Sequence, residues 1–275
     1  MTAGLQDAAR RVLETAGPAE KSRAARTVAA MWRAGDLDLP ASGAPSAAPA
    51  RPERPVRPVL LPPGQVPRRR LGTEAGRAAL LHAVAHIEFN AIDLAFDLVA
   101  RFGGDPRVPD ADRRAFLDDW VGVGDDEARH FDMVCARLRE LGTGYGDLPA
   151  HDGLWEAAEA TAHDLAARLA VAPMVLEARG LDVTPGMIER LKSAADPQSA
   201  AVLEIIYAEE VGHVAAGRRW FETVCRTENA DPKARFAALV SRYFKGDLKR
   251  PFNAGARDRA GLPADWYEPL AEPDR

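Results

Sequence analysis

Two short segments of this chain share a pattern in which a glutamate is followed three residues later by a histidine. Residues 127–130 read Glu-Ala-Arg-His, and residues 210–213 read Glu-Val-Gly-His. Side chains three residues apart lie on the same face of an α-helix, so both members of a pair can bind the same metal ions. Both segments lie in long stretches of helical periodicity, predicted as helices over 110–141 and 197–225. The pattern therefore predicts two helices that each present metal ligands from one face.

Two further predicted helices each offer one isolated glutamate. Glu88 is the only glutamate beyond the first turn of helix 73–102, and Glu177 is the lone acid in an apolar run of helix 154–180. Along the chain the order is then Glu, Glu-x-x-His, Glu, Glu-x-x-His, so the second half repeats the first. This order is typical of di-iron carboxylate four-helix bundles, in which two helices give one glutamate and two give Glu-x-x-His.

The residue types also indicate the metal. Carboxylates and imidazoles suit iron or manganese, and bridging glutamates hold two ions roughly 3.5–4 Å apart. Without metal, four glutamates meeting in a core would repel one another and would be costly to bury. We therefore predict two iron ions, with manganese or a mixed manganese–iron pair as alternatives. The predicted ligands are Glu88, Glu127, His130, Glu177, Glu210 and His213. On the first helix, His86 and Asp93 compete with Glu88.

The fold class predicted from these helices is all-α, an antiparallel four-helix bundle with extensions at both ends. Residues 1–39 form an N-terminal helical extension, and residues 40–67 form a proline-rich extended segment. Residues 68–228 form the di-metal bundle, and residues 229–275 form a C-terminal helix and an irregular tail. Proline cannot donate a backbone hydrogen bond, so the segment rich in proline cannot be a regular helix.

Three sites combine a capping side chain with a following proline, which is a helix-start signal. They are Thr184-Pro185, Asp196-Pro197 and Asp231-Pro232. No segment alternates polar and apolar residues with a period of two, so we predict essentially no sheet.

Composition is that of an ordinary soluble protein, with 47% hydrophobic and 28% charged residues and a net charge of −5. We see no secretory signal pattern and no apolar run long enough to span a membrane. The two cysteines have no metal-type spacing and fit a reducing compartment. The expected location is the cytoplasm.

The chain has two local basic clusters although its net charge is negative. One is residues 68–70, all arginine, and the other is Lys245, Lys249 and Arg250. Contact with a nucleic acid or an acidic partner is one interpretation, although the overall charge disfavours nucleic acid, and a solvated or salt-bridged face is the other. The sequence leaves a homo-oligomer open.

Several stretches resemble a bacterial ferritin-like family of unassigned function, within the ferritin-like di-iron carboxylate superfamily. The stretches are residues 71–77, 81–88, 126–131, 149–155, 176–187 and 210–214. The resemblance covers nearly the whole chain. It implies a ferritin-like bundle and a di-iron-type site. The chain is also, more distantly, similar to the bacterial tRNA hydroxylase that oxidises an isopentenyl-type adenosine. It does not supply a substrate.

Two residues outside the ligand set are candidates for catalysis. Tyr207 lies three residues before Glu210 and either lines the oxidant pocket, donates a proton or is a core tyrosine. His151 lies in the loop before the third helix and either closes the pocket or caps that helix. We expect the pocket entrance near Gly122, Gly124 and Tyr207, because glycines leave room beside the ligands.

A polar stripe on the first helix has two interpretations. Its members are His86, Asn90, Asp93 and Asp97. They either orient the metal ligands or form a polar face between helices or toward solvent.

Three functions fit these predictions. The first is an oxidoreductase that activates O2 or peroxide at two metal ions and oxidises an organic substrate, for example as a hydroxylase. The second handles iron or peroxide without an organic substrate, as ferritin- or rubrerythrin-like proteins do. The third is a structural metal-binding or scaffold protein.

Overall fold

The structure is a computed structural model that describes residues 3–62, 65, 71–245 and 247–271. The described chain is an all-helical bundle, which confirms the predicted class. Within these ranges, regular strand is confined to one parallel pair, β1 Ala3–Gly4 and β2 Leu37–Asp38. The predicted arginine cluster at residues 68–70 lies outside the described residues. None of the described helices is both long and apolar enough to cross a membrane.

The α-helices are, in chain order, α1 Leu5–Leu13, α2 Pro18–Ala34, α3 Glu74–Phe102, α4 Asp110–Glu140, α5 Gly153–Ala160, α6 Leu165–Val171, α7 Ala178–Ser193, α8 Pro197–Thr227, α9 Pro232–Tyr243, α10 Ala254–Arg259 and α11 Ala264–Tyr267. A π-helical turn, Ala172–Glu177, joins α6 to α7. The predicted bounds of α3, α4 and α8 agree with the structure to within two residues.

Helices α3 and α4 form the most extensive helix pair and run antiparallel. The rings of Phe89 and Phe131 lie 5.5 Å apart, and the Phe96 ring packs directly on Gly124. Residue numbers rise along α3 while they fall along α4, as a hairpin requires. The short connection between the two helices is consistent with this arrangement.

Helices α4 and α8 also lie side by side in opposite directions. Arg137 near the end of α4 donates to Ser199 near the start of α8, at 3.0 Å. At the other end of the pair, Asp119 of α4 accepts from Trp220 of α8, at 2.6 Å. The two Glu-x-x-His segments lie between these contacts and therefore face each other.

The third predicted helix, 154–180, begins within one residue of its predicted start, but its middle and its end are wrong. The chain leaves the helix after Ala160, and Asp164 begins a new helix by accepting from the Ala166 N–H at 3.2 Å. Arg107 from the α3–α4 connection binds the same Asp164 carboxylate at 2.6 Å. The break therefore depends on a capping side chain that is held by a distant partner.

Thr184-Pro185 is not a helix start, which corrects a second prediction. Pro185 lies inside α7, where its missing N–H leaves the carbonyl of Leu181 without its usual helical donor. The Asn253 side-chain amide donates to that carbonyl at 3.1 Å. The other two predicted starts are confirmed, since Asp196 and Asp231 cap α8 and α9.

The N-terminal helices pack on the bundle: α1 lies on α3, and α2 lies on α4. Their apolar residues belong to the same continuous core as those of α3 and α4. Lys21 of α2 is fully buried and forms an ion pair with Asp93 of α3. The described part of the proline-rich segment runs extended against this body, with Ala47 N–H donating to Ala100 O at 2.9 Å.

The tail after Arg250 is more ordered than predicted. Asn253 caps the short helix α10, and its side chain accepts from the Ala256 N–H at 3.2 Å. Aromatic contacts hold the tail to the bundle, because Trp266 packs on Phe221 and Phe236.

Candidate metal centre

The six predicted ligands come from four helical segments that meet in the interior. Glu88 of α3 is 3% exposed, and Glu127 and His130 of α4 are fully buried. Glu177 ends the π-helical turn, and Glu210 and His213 lie on α8. Ligand atoms of Glu88, Glu127, His130 and Glu210 all lie within 4.8 Å of one another, which is close enough to share metal ions.

The two histidines occupy equivalent places on either side of Glu127. Nδ1 of His130 lies 3.2 Å from Glu88 and 3.6 Å from Glu127. Nδ1 of His213 lies 3.1 Å from Glu127 and 3.6 Å from Glu210. Each ring turns the same nitrogen, Nδ1, toward the carboxylates.

The outward nitrogens of the two rings contact acids that sequence reasoning missed. Nε2 of His130 lies 2.6 Å from Glu209, and Nε2 of His213 lies 3.4 Å from Asp126. Each acid directly precedes the ligand glutamate of the opposite helix. A carboxylate at this position fixes the ring orientation and leaves the inward nitrogen free for a metal. The signal was present in the sequence, because both segments read acid-Glu-x-x-His.

Unpaired polar atoms concentrate at this site. Buried side-chain atoms normally have hydrogen-bond partners. In the described part of the chain, all six candidate ligands have at least one buried nitrogen or oxygen without one. These atoms are the inward Nδ1 atoms of His130 and His213 and carboxylate oxygens of Glu88, Glu127, Glu177 and Glu210. A donor set of carboxylate oxygens and imidazole nitrogens left unpaired in this way fits metal ions.

The protonation of the site is strongly perturbed without metal. Burial, together with the charge of Glu127, raises the pKa of Glu88 well above its usual value. Burial likewise raises the pKa of Glu177 and of Glu210, in each case reinforced by a neighbouring glutamate. Burial opposes ionisation of Glu127, but the close contacts and positive charges of both histidines outweigh it and hold its pKa below the usual range.

The histidines shift in the opposite direction from ordinary buried histidines. Burial by itself lowers the pKa of His130, yet the carboxylates of Glu127 and Glu88 raise it to about 11. Burial is also outweighed at His213, where Asp126, Glu127 and Glu210 raise the pKa well above its usual value. Protons therefore supply the positive charge at this cluster when no metal is bound.

An apolar cavity of about 220 Å³ adjoins the cluster. Carboxylates from Glu88, Glu177 and Glu210 form one side of it, and the rest of the wall is mostly aliphatic. The other lining residues are Val84, Ile87, Ala91, Leu94, His151, Leu154, Leu176, Arg179, Gly180, Val183, Thr184, Met187, Leu203 and Ile206. His151 lines the cavity, and Gly180 has open space where a side chain would begin.

The predicted entrance at Gly122, Gly124 and Tyr207 is wrong. A Cβ on Gly124 would lie 2.6 Å from the Phe96 ring, so this glycine permits close helix packing. Gly122 faces open space but does not line the cavity. The hydroxyl of Tyr207 accepts from the Asn253 amide at 2.9 Å, away from the cavity lining. The proposed catalytic roles of Tyr207 and His151 stay predictions.

The polar stripe on α3 is a buried interhelical face. Asp93 binds Lys21 and Arg54, and Asp97 binds Arg101 and Arg168. These partners hold the N-terminal segments and α6 onto α3. His86 is 7% exposed, and its ring nitrogens lie 2.9 Å from the Tyr145 hydroxyl and 3.0 Å from the His151 carbonyl.

Comparisons with known proteins show the family of this chain but name no activity. The family described as "Protein of unknown function (DUF455)" matches residues 14–268. The chain belongs to the DUF455 family. An uncharacterized protein of Haemophilus influenzae is 42% identical over 214 residues, which cover 76% of this chain and 74% of that protein. No solved structure matches.

Proposed function

We propose that this DUF455 protein is a ferritin-like four-helix bundle that binds two iron ions and oxidises an organic substrate with O2 or peroxide. The four helices of the bundle would be α3, α4, α8 and the helical segment from α6 through α7. Two of these helices give one glutamate each and the other two give Glu-x-x-His, which matches the ligand pattern of such proteins. Manganese or a mixed pair is the alternative metal content.

The observation that carries this proposal is the contact between the candidate ligands and the apolar cavity. Bound iron would supply the electrons that reduce O2 or peroxide. Glu88, Glu177 and Glu210 face both the site and the cavity, so a substrate in the cavity would lie against the reacting centre. Aliphatic walls exclude water from that space and favour an apolar substrate group. An iron store without an organic substrate has no need of such a cavity.

Metal stoichiometry tests the ligand assignment. Full-length protein reconstituted with ferrous iron under anaerobic conditions should hold about two ions per chain by elemental analysis. Glu127→Ala and Glu210→Ala should each lower this sharply. Glu140→Ala is the matched control, since Glu140 lies at the exposed end of α4 and should not alter iron content. Unchanged stoichiometry in both ligand variants would defeat the assignment.

Optical spectra distinguish the proposed oxidoreductase from a structural metal site. The ferrous protein should change its absorption when O2 or hydrogen peroxide is added. Protein that keeps its iron but shows no spectral response to either oxidant would favour the structural interpretation.

A further inference from the structure

A second cavity of about 400 Å³ lies beside the first, where the C-terminal segment crosses α7. We call it the C-terminal pocket. Beside apolar side chains, its lining carries six charged residues, Arg179, Asp182, Lys245, Asp247, Lys249 and Arg257. Four of these side chains are cationic and two are anionic, in a protein whose net charge is −5. The pocket is therefore a local positive site on an acidic molecule.

Arg257 is the buried cation of this pocket. It is 2% exposed, and its guanidinium lies over the rings of Phe252 and Tyr267, at 4.9 and 4.4 Å from their centroids. Nε and Nη2 donate to Asp182, at 2.9 and 2.7 Å. Nη1 is buried and has no acceptor among the residues that the structure describes. Buried arginine donors are normally paired, so this atom is a donor left for a group from outside the described chain.

Two lysines that line the pocket also have side chains free to bind an anion. Lys245 and Lys249 are exposed, and neither side chain has an ion-pair or hydrogen-bond partner in the described ranges. The lysines elsewhere in the chain differ: Lys21, Lys192 and Lys233 each pair with a carboxylate. Arg179 fixes the segment that carries Lys249 by donating to the Lys249 carbonyl at 2.7 Å.

The C-terminal pocket and the apolar cavity share two lining residues, Leu176 and Arg179. Both lie within one turn of Glu177, the candidate ligand at the end of the π-helical turn. The two spaces are therefore adjacent, with these two side chains between them. An elongated molecule that passes Leu176 and Arg179 would place its apolar part toward the glutamates and its other end among the cations.

We propose that the C-terminal pocket binds the phosphate group of a substrate whose apolar part fills the cavity beside the metal centre. This rests on the proposed function and names its substrate class, an apolar phosphate monoester. Guanidinium groups bind phosphate oxygens in pairs, and ammonium groups add charge without a fixed geometry. Arg257, Arg179 and the two lysines together suit a doubly charged phosphate.

Binding of three small probes to the full-length protein tests this by titration calorimetry. The probes are hexyl phosphate, inorganic phosphate and 1-hexanol. Hexyl phosphate should bind more tightly than either of the other two, because it alone fills both spaces. The double variant Lys245→Gln/Lys249→Gln should weaken hexyl phosphate and inorganic phosphate about tenfold, as expected for two partly exposed charge contacts. Its affinity for 1-hexanol should not change.

A cavity variant gives the complementary result. Gly180→Leu places a side chain into the apolar cavity, and it should weaken hexyl phosphate and 1-hexanol while leaving inorganic phosphate unchanged. Lys192→Gln, on the far surface of α7, is the control for charge and should leave all three affinities unchanged.

Two results would overturn the proposal. One is inorganic phosphate binding that does not respond to the lysine substitutions, as for phosphate held at the metals. The other is an affinity for hexyl phosphate that does not exceed the affinity for inorganic phosphate or for 1-hexanol, whichever of these two binds more tightly. Iron content, measured on the same preparations, reports separately on the proposed function, so a failure of one proposal is distinguishable from a failure of the other.

Discussion

The carboxylate of Glu209 lies 2.6 Å from Nε2 of His130, while Nδ1 of the same ring lies 3.2 Å from Glu88. One imidazole thus joins two acids on different helices, α8 and α3. Arg129 also binds Glu209, which holds this carboxylate in place. The contact orients His130 before any metal arrives, and Asp126 does the same for His213 at a longer distance.

The first prediction concerns this contact. Glu209→Gln keeps the size of the side chain but removes its charge, so His130 should be held less firmly and ferrous affinity should fall by about ten- to a hundredfold. Competition with a chelating dye measures the affinity. Glu204→Gln, an exposed glutamate on the same helix, is the control. Equal affinities in the two variants would show that Glu209 does not position the ligand.

The second prediction concerns pH. The pKa values of His130 and His213 are raised, and burial raises those of Glu88, Glu177 and Glu210 as well, so the metal-free cluster holds more protons than the same groups would in water. Metal binding must displace those protons, and apparent affinity should therefore rise with pH. Calorimetry in buffers of different ionisation enthalpy should show net proton release. A binding heat that does not depend on the buffer would contradict this.

The long helices and the order of their ligand-type residues could be predicted from local rules. Helical periodicity, capping aspartates and glycine stops are properties of neighbouring residues, so α3, α4, α8 and α9 follow from the sequence. The contact between Glu127 and His213 could also be predicted from the sequence, because two helices that each carry Glu-x-x-His have few other ways to bury their acidic side chains.

The remaining features depend on partners far away in the chain. The break before Asp164 involves Arg107, and the continuation of α7 through Pro185 involves Asn253. No local pattern contains either partner. The cavity was misplaced for the same reason, since a glycine in a helix indicates either space or close packing, and only the position of Phe96 decides between them.

The third prediction compares two glycines on α4. A Cβ at Gly124 would collide with the Phe96 ring, so Gly124→Ala should destabilise the protein by about 1–3 kcal/mol through overpacking. A Cβ at Gly122 meets nothing within 4 Å. Gly122→Ala should therefore stabilise by about 0.5–1 kcal/mol, because alanine is the better helix former. Denaturant unfolding of both variants measures the difference, and equal effects would refute the packing explanation.

The fourth prediction concerns the N-terminal helices. Lys21→Met removes the fully buried ammonium that pairs with Asp93, and losing one member of a buried pair costs about 3–5 kcal/mol. Arg54 also contacts Asp93, so the loss should fall at the lower end of this range. Lys192→Met breaks an exposed pair and should change stability by less than about 1 kcal/mol. Similar unfolding free energies for the two variants would mean that the Lys21–Asp93 pair does not stabilise the packing of α2 on the bundle.

The fifth prediction concerns the proline inside α7. Asn253 donates to the Leu181 carbonyl, which Pro185 leaves without a helical donor, and to the Tyr207 hydroxyl. Asn253→Asp keeps an oxygen to cap α10 but removes the amide donor. The Leu181 carbonyl is then buried without a partner, and unfolding free energy should fall by about 1–3 kcal/mol.

A double-mutant cycle separates this carbonyl from the other contacts of Asn253. Pro185→Ala restores a backbone N–H four residues after Leu181, so the helix can satisfy the carbonyl by itself. In that background Asn253→Asp should cost less than in the natural sequence, with a coupling energy of about 1 kcal/mol or more. Tyr207→Phe, which removes only the hydroxyl contact, should show no coupling to Pro185→Ala. Additive effects of Asn253→Asp and Pro185→Ala would show that the amide does not compensate for the proline, and the continuity of α7 would then need another cause.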